Sequence, residues 1–570
     1  MSILSHPRWG RKIGSYSLTS NVNCTTLSID SEIAGLRAMK EISGLASEPH
    51  VTAPTSSADF PAIQISTLER ALYLTRDPTR IHHLVDPSVV SGCIRLMKSV
   101  ISQSSGFPSP FSYELGYLCF RLLIITLNAC LLDRWGRLDE ALAKQHQFPH
   151  SAAHVLISIE VSSAVHKQFE NLVNGGDCDW VLGFSTADNH RRPQQASLLL
   201  RSDIEALLDM LWDDRKMFLR ALMLDVPIAS GLSGLLFVFS RRVAQERDTQ
   251  QNPSPLRRKL YELALRYYLV QDSSQIGPTL NVISSNPCYG DWINTPKHVD
   301  GEDSRSIMTA FIKRISGCND PEHLIMEDAS MMLRFVPLSI DASTQDLLPD
   351  VLKHMIEYGW LVLLAQDDKD EIRLIVHTLL PALSWLISPP HNRPYRLEPP
   401  TKDQIVDTIR KGDLLDWMAF AMYKLDPSPA AFGERSIQAM DNFFAALANT
   451  VPRSKLGSIF QDYAPEWRKF YRHLKATGSS VNIPCQKCYN ACLQTWYQIA
   501  QSLGFEQALY EYELTDCFNG RCPRAYTNDA DGPRFLCATC RNAVYCSDQC
   551  QSMGWNLGDS RVPHQELCGL

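Results

Sequence analysis

The sequence predicts a mainly α protein: a long helical body followed by a small, differently built C-terminal segment. Three observations carry that expectation. Apolar residues recur at helical spacing over most of the chain. The apolar–polar alternation of half-buried strands is absent. Of seventeen cysteines, ten crowd between Cys485 and Cys568.

At 570 residues, 45% of them hydrophobic and 21% charged, the chain can bury a sizeable core. At about 150 residues per domain it would make roughly three or four domains, or one long repeat array. The formal charge of −7 gives no global pull toward phosphate backbones or anionic lipid.

Residues 1–57 are rich in Ser and Thr without sustained periodicity, and read as a largely unstructured tail. The opening MSILSHPRWGRK lacks the apolar stretch of a secretory signal. Arg8, Arg11 and Lys12 precede the first acidic residue, Asp30, a composition shared by organelle transit peptides and plain tails. The expected location is intracellular, cytoplasmic or nuclear, with an organelle as the alternative.

Residues 58–484 form the helical body. The stretch Tyr117–Leu132 is the strongest membrane candidate, but its sixteen residues include Arg121. That falls short of the roughly 20 apolar residues a bilayer requires, so a buried helix is expected. Ser202 with Glu205, and Thr401 with Gln404, have the spacing of capping boxes at helix starts. Ile372, Ile375, Val376, Leu379, Leu380, Leu383, Leu386 and Ile387 form one apolar stripe, interrupted by Pro381, which should kink the helix. Breaks are expected near 181–196, 271–304 and 388–400. No fixed repeat period emerges. Successive helices of about 12–22 residues with short breaks nevertheless resemble an armadillo or HEAT array of stacked pairs, with an irregular α domain as the alternative. Residues 485–516 read as a connecting helix, and 517–570 as a separate small domain.

The cysteines fall into two populations. Cys24, Cys93, Cys119, Cys130, Cys178, Cys288 and Cys318 are scattered, some within apolar runs where cysteine acts as a small hydrophobe. In contrast, Cys517-x4-Cys522, Cys537-x2-Cys540, Cys546-x3-Cys550 and His564-x3-Cys568 make four pairs in 54 residues. Closely spaced thiolate and imidazole pairs suit two tetrahedral zinc sites. A domain this small gains much from metal, on the order of 10 kcal/mol per structural zinc at neutral pH. Interleaving the pairs, first with third and second with fourth, would tie the chain across itself twice. Cys485, Cys488 and Cys492 lack a fourth ligand nearby and open a helical run, so buried or free thiols are expected there.

The segment CRNAVYCSDQCQSMGW, followed by HQELC, resembles a MYND-type zinc finger. Tyr545, Cys546, Cys550, Gln551, Trp555, His564 and Cys568 carry the resemblance, which covers about a tenth of the chain. It implies one zinc on Cys517, Cys522, Cys546 and Cys550, and a second on Cys537, Cys540, His564 and Cys568. Three departures stand out: the x4 spacing of the first pair, Gly554 in place of Asp, and a long interval from Trp555 to His564. The last puts the geometry of His564 in question. A HIT-type finger is the rival, with the Gln-x3-Trp element favouring MYND.

Such fingers recognise proteins. Both implied sites are closed, with no open coordination position for Lewis-acid chemistry. Some members bind Pro-x-Leu-x-Pro peptides as an added strand, and Gln551 and Trp555 match positions that contact them. Alternatively, Ser547 caps the helix carrying Cys550 and Trp555 fills the finger's core. Five Arg, no Lys and five acids from Cys517 onward make nucleic acid a poor partner. Neither a catalytic motif nor a membrane partner is indicated; a SET-type methyltransferase would need strands and a cofactor loop of which only Asn189-His190 is present. The sequence therefore reads as a zinc-binding scaffold with a recognition finger. The alternative is an enzyme whose site lies unrecognised in the helical body.

Overall fold

The computed structural model describes residues 6, 8–13, 27–47, 63–103, 109–144, 153–184, 196–224, 231–246, 254–286, 290, 292, 299–316, 326–388, 396–425, 433–480, 483–506, 517, 519, 535–540, 543–557 and 563–568. Helices make up nearly all of these, and the two-residue strands Phe535–Leu536 and Val544–Tyr545 form the single sheet among the described residues. The chain divides into two compact units, Met1–Pro296 and Lys297–Leu570.

The first unit is organised around the helix Glu114–Arg134. Between Leu115 and Leu132 every residue except Leu118 and Arg121 is buried. A helix apolar on all sides has to be covered all round, and this one is, by the helices Ile65–Tyr73, Pro87–Gln103, Ala153–Val173 and Ser233–Ala244. Among the described residues it alone is long and apolar enough to cross a membrane, and 89% of its apolar window is buried inside the fold. Its hydropathy is thus accounted for by core packing.

Several polar side chains inside this unit are paired. The amide of Gln275 accepts from Ser233 N (3.2 Å) and donates to Ser158 Oγ (3.3 Å), while Ser158 Oγ accepts from Gly231 N (2.6 Å). Any side chain at Gly231 would collide with Gln275, since its Cβ would lie 2.2 Å from the amide carbon. Fully buried Arg266 donates to Glu262 (3.1 Å), whose other oxygen accepts from Trp292 Nε1 (3.1 Å). Such partners are what make a buried charge tolerable.

The second unit is a stack of helical pairs. Gly301–Ser316, Leu348–Ala365, Pro399–Lys411 and Arg453–Phe460 pack each on the next, as do Met326–Phe335, Lys369–Ile387, Glu434–Thr450 and Ile483–Leu503. The first helices of the pairs begin about fifty residues apart, close to a HEAT or armadillo period. Bonds between neighbouring pairs keep the same separation: Trp360 Nε1 donates to Gly412 O (3.0 Å), Gln345 Nε2 to Arg396 O (3.1 Å) and Arg410 Nη2 to Asp462 (2.8 Å). Inserted helices Leu414–Lys424 and Ala464–Ser480 disturb the period, which is why no constant repeat is visible in the sequence. Trp467 joins the inserted helix Ala464–Ser480 to Trp496 of Ile483–Leu503, each indole N–H donating to the other residue's carbonyl at 3.0 Å.

The expected stripe from Ile372 to Ile387 is buried, and its helix continues through Pro381 from Lys369 to Ile387. Several local expectations are corrected. Neither capping box forms. The helix Arg201–Asp213 starts before Ser202, and Glu205 accepts from Arg242 instead (2.9 Å). Pro399 and Pro400 start the helix ahead of Thr401, occupying first-turn positions where a missing N–H costs nothing. The 271–304 break contains the helix Ile276–Ser285, with Pro278 again in its first turn. The helix Gly301–Ser316 begins inside the same interval. The 1–57 tail contains the helix Ile29–Gly44, capped by Ser28. Gly35 is the contact point of this helix with Leu74, where a Cβ would come within 2.8 Å. In the 181–196 and 388–400 breaks, residues 185–195 and 389–395 lie outside the described residues.

Candidate metal centre

The C-terminal site is assembled from a short ribbon and two small helices. Phe535 pairs with Tyr545 and Leu536 with Val544 in antiparallel register. Cys537 N then donates to Ala543 O (2.8 Å), so the Cys537-x2-Cys540 turn closes at the end of the ribbon. Tyr545 is buried and forms the floor, packed with Cys537, Ala543 and Cys550.

Ser547 starts the next helix, Asp548–Asn556, its hydroxyl accepting from Cys550 N (3.1 Å). The cap thereby fixes a potential ligand as well as a helix end. Gly554 packs on the Tyr545 ring, and a Cβ there would stand 2.7 Å from a ring carbon. A side chain at this position would press on that ring. The last helix, His564–Leu567, places His564 and Cys568 on one turn, with Cys568 N donating to His564 O (2.8 Å).

Two groups of potential ligands converge among the described residues. Cys537, Cys540, His564 and Cys568 have their ligand atoms within 4.8 Å of one another, and so do Cys517, Cys546 and Cys550. Within the first, Cys537 Sγ and Cys568 Sγ are 3.4 Å apart and Cys540 Sγ is 3.5 Å from His564 Nε2. In the second, Cys546 Sγ and Cys550 Sγ are 3.5 Å apart. A tetrahedral zinc with Zn–S bonds near 2.3 Å sets its sulfurs about 3.8 Å apart. The separations are far longer than the ~2.05 Å of a disulfide and fit ligands around a shared ion. Three thiolates and an imidazole are a donor set that suits zinc.

The two facing thiols shift apart: burial, then Cys537 and Cys540, raise Cys568, while Cys537 favours the thiolate. The Cys537 thiol is pulled down to about 6, first by the N–H of Cys540 and then by His564, the N–H of Thr539 and Cys568, against the opposing effect of burial. His564 is held between two rings set edge-on to it, Trp555 at 5.6 Å and Tyr545 at 6.1 Å between centroids. Such surroundings fix the orientation of a ligating imidazole. The long interval between Trp555 and His564 therefore does not keep His564 from the cluster.

Cys522 lies outside the described residues. Gln551 is half-buried, one turn from Trp555 on the same helix, and Trp555 packs into the core. Cys488 and Cys492 are buried in the helix Ile483–Leu503, and burial pushes Cys492 up to about 12. Together with Cys485 they form no converging group among the described residues. Cys93, Cys119, Cys130 and Cys178 are buried in the first unit, and burial raises all four.

Sequence reasoning overlooked two contributors: Gly554 as the residue that admits the Tyr545 ring, and Arg472, whose Nη1 donates to Cys517 O (3.4 Å) and ties the ligand to the helical stack. Neither carries a motif; each depends on a contact with a residue outside its own helix.

No family model matches the chain, and no curated protein matches it. An engineered protein of solved structure aligns over 81% of this chain and 98% of its own, at 11% identity and a TM-score of 0.21, too low to bear on the fold.

Proposed function

We propose that this chain is a zinc-binding interaction protein, with a MYND-type finger at residues 517–570 presented by a helical scaffold. The observation that carries the reading is the convergence of the cysteines and His564 into two groups in interleaved order: Cys517, Cys546 and Cys550 in one, Cys537, Cys540, His564 and Cys568 in the other. With Cys522 as the fourth ligand of the first group, both sites are closed, so each zinc is structural.

The recognition surface is the outer face of the helix Asp548–Asn556. Gln551 and the accessible edge of Trp555 share it, and a proline-containing peptide is the ligand that best suits an amide beside an indole. Catalysis, nucleic-acid binding and membrane insertion are not part of this reading. Thiolate ligation belongs to a reducing compartment, cytoplasm or nucleus.

Metal analysis of the purified chain tests the proposal. Two zincs per chain are expected, both lost in the Cys540→Ser, Cys546→Ser double variant while helical circular dichroism persists. Retention of a Pro-x-Leu-x-Pro peptide by the native chain, and its loss in Gln551→Ala with zinc still bound, would support the ligand. A chain without zinc would overturn the finger. An enzymatic activity surviving removal of residues 517–570 would favour a site in the body.

A further inference from the structure

The N-terminal turn of the helix Glu114–Arg134 has no cap of its own, since Tyr113 supplies no side-chain bond to it. Its first N–H groups are satisfied from a distant part of the chain. Glu114 N donates to Arg11 O (3.0 Å) and Leu115 N to Trp9 O (3.1 Å). These are groups that a helix leaves without internal partners.

Residues 6 and 8–13 are shaped for this seat. His6 and Gly10 exchange main-chain bonds in both directions, 2.8 and 2.9 Å. His6 Nδ1 accepts from Arg8 N (3.2 Å) and Trp9 N (3.1 Å), and its ring stacks on Trp9 with centroids 4.1 Å apart. Trp9 is 9% exposed and lies against Tyr113; Ile13 is buried as well. Gly10 has φ +79°, and a Cβ there would meet Ile65 at 2.4 Å. Only glycine suits both demands. Arg11 Nε donates to Glu114 Oε2 (3.0 Å), a second bond from Arg11 Nη2 reaches Oε1, and Arg11 N also donates to Oε2 (3.3 Å). The Arg11 guanidinium holds the Glu114 carboxyl below the usual range.

We infer that residues 6–13 are a strap acting as a peptide ligand in cis, and that the first turn of Glu114–Arg134 with Tyr113 and Ile65 is its recognition seat. The seat reads an indole, a glycine in the left-handed conformation and a guanidinium two residues after the indole. Because the strap is held by contacts of its own, the same peptide binds in trans once the cis copy is removed. The inference is independent of the zinc finger.

The test compares the full chain with one lacking residues 1–13, probed with a fluorescein-labelled peptide of residues 5–14. The shortened chain should melt lower, bind the peptide and regain its melting temperature; the full chain, its seat filled, should not bind. Peptides carrying Gly10→Ala or Arg11→Glu should bind more than about tenfold more weakly, as loss of a charge-assisted pair implies. Should the shortened chain fail to fold, full-length Arg11→Glu should melt lower and the Arg11→Glu, Glu114→Arg pair should recover. Unchanged melting of the shortened chain without peptide binding would overturn the inference, as would an exchanged pair no more stable than the single variant.

Discussion

Cys93 in the first unit and Cys537 in the C-terminal finger are about equally hidden, 0% and 3% exposed. Burial pushes the Cys93 thiol up to about 12, whereas the Cys537 thiol is pulled down to about 6, chiefly by the Cys540 N–H. The difference lies in depth, since Cys93 is deep in a core and Cys537 sits in a small, thin domain, and in what faces the sulfur. Around Cys93 the chain provides apolar atoms, which disfavour charge; around Cys537 it turns main-chain donors and other ligands inward. The body uses cysteine as packing volume, and the finger uses it to gather charge that a cation can neutralise. On the proposed zinc-binding reading, stability follows the same division, resting on buried area in the body and on ligation in the C-terminal domain.

The contrast breaks most visibly on metal removal. Chelation should release about 10 kcal/mol of ligation per site and unfold the finger. Maleimide should then label Cys537, Cys540, Cys546, Cys550 and Cys568, while Cys93, Cys119, Cys130 and Cys178 stay unlabelled until denaturant is added. Mass spectrometry of labelled peptides checks this, and early labelling of Cys93 would erase the distinction.

Leu123→Ala in the central helix approaches the difference from the other side. Leu123 is fully buried, so truncation should cost about 2–5 kcal/mol in denaturant unfolding. Zinc content should not change.

Gly554→Asp should weaken the C-terminal metal site. The new side chain collides with Tyr545, an overpacking cost of about 1–3 kcal/mol. Zinc competition with a chromophoric chelator should show weaker binding than in the native chain.

The smallest effect concerns a carboxyl. Burial pushes Asp214 up to about 7, although it accepts from Ser109 and Phe111. The folded state therefore holds this proton more tightly than the unfolded chain. Its contribution to stability is full below the ordinary Asp range and is lost as pH rises toward 7. Asp214→Asn should flatten that decline between pH 4 and 7 in a series of thermal melts.

Legibility divides along similar lines. The helical class, the stripe from Ile372 to Ile387 and burial of Tyr117–Leu132 could be read because each is a local pattern of apolar residues. The finger's potential ligands could be read because pairs two to four residues apart leave their mark on the sequence. The capping boxes at Ser202 and Thr401 misled because a preceding Leu200–Arg201 start and a Pro399–Pro400 turn took the helix ends. The order at 6–13 and 29–44 was illegible because partners 39 to 103 residues away create it: Gly35 makes sense only beside Leu74, and Arg11 only beside Glu114. Gly554 is the same case inside the finger, explained by Tyr545 alone.

The central helix Glu114–Arg134 also sets a problem of timing. On the ribosome it emerges with Pro87–Gln103 already available on one side, but its cover from Ala153–Val173 does not yet exist. At ordinary elongation rates the missing stretch takes roughly a few seconds to arrive. During that interval a segment as greasy as a membrane anchor is half-clothed, a natural target for chaperones or for mistaken delivery to a translocon. A pause that leaves this helix outside the ribosome while Ala153–Val173 and Ser233–Ala244 are still missing should lengthen that exposure, and one after both have emerged should not.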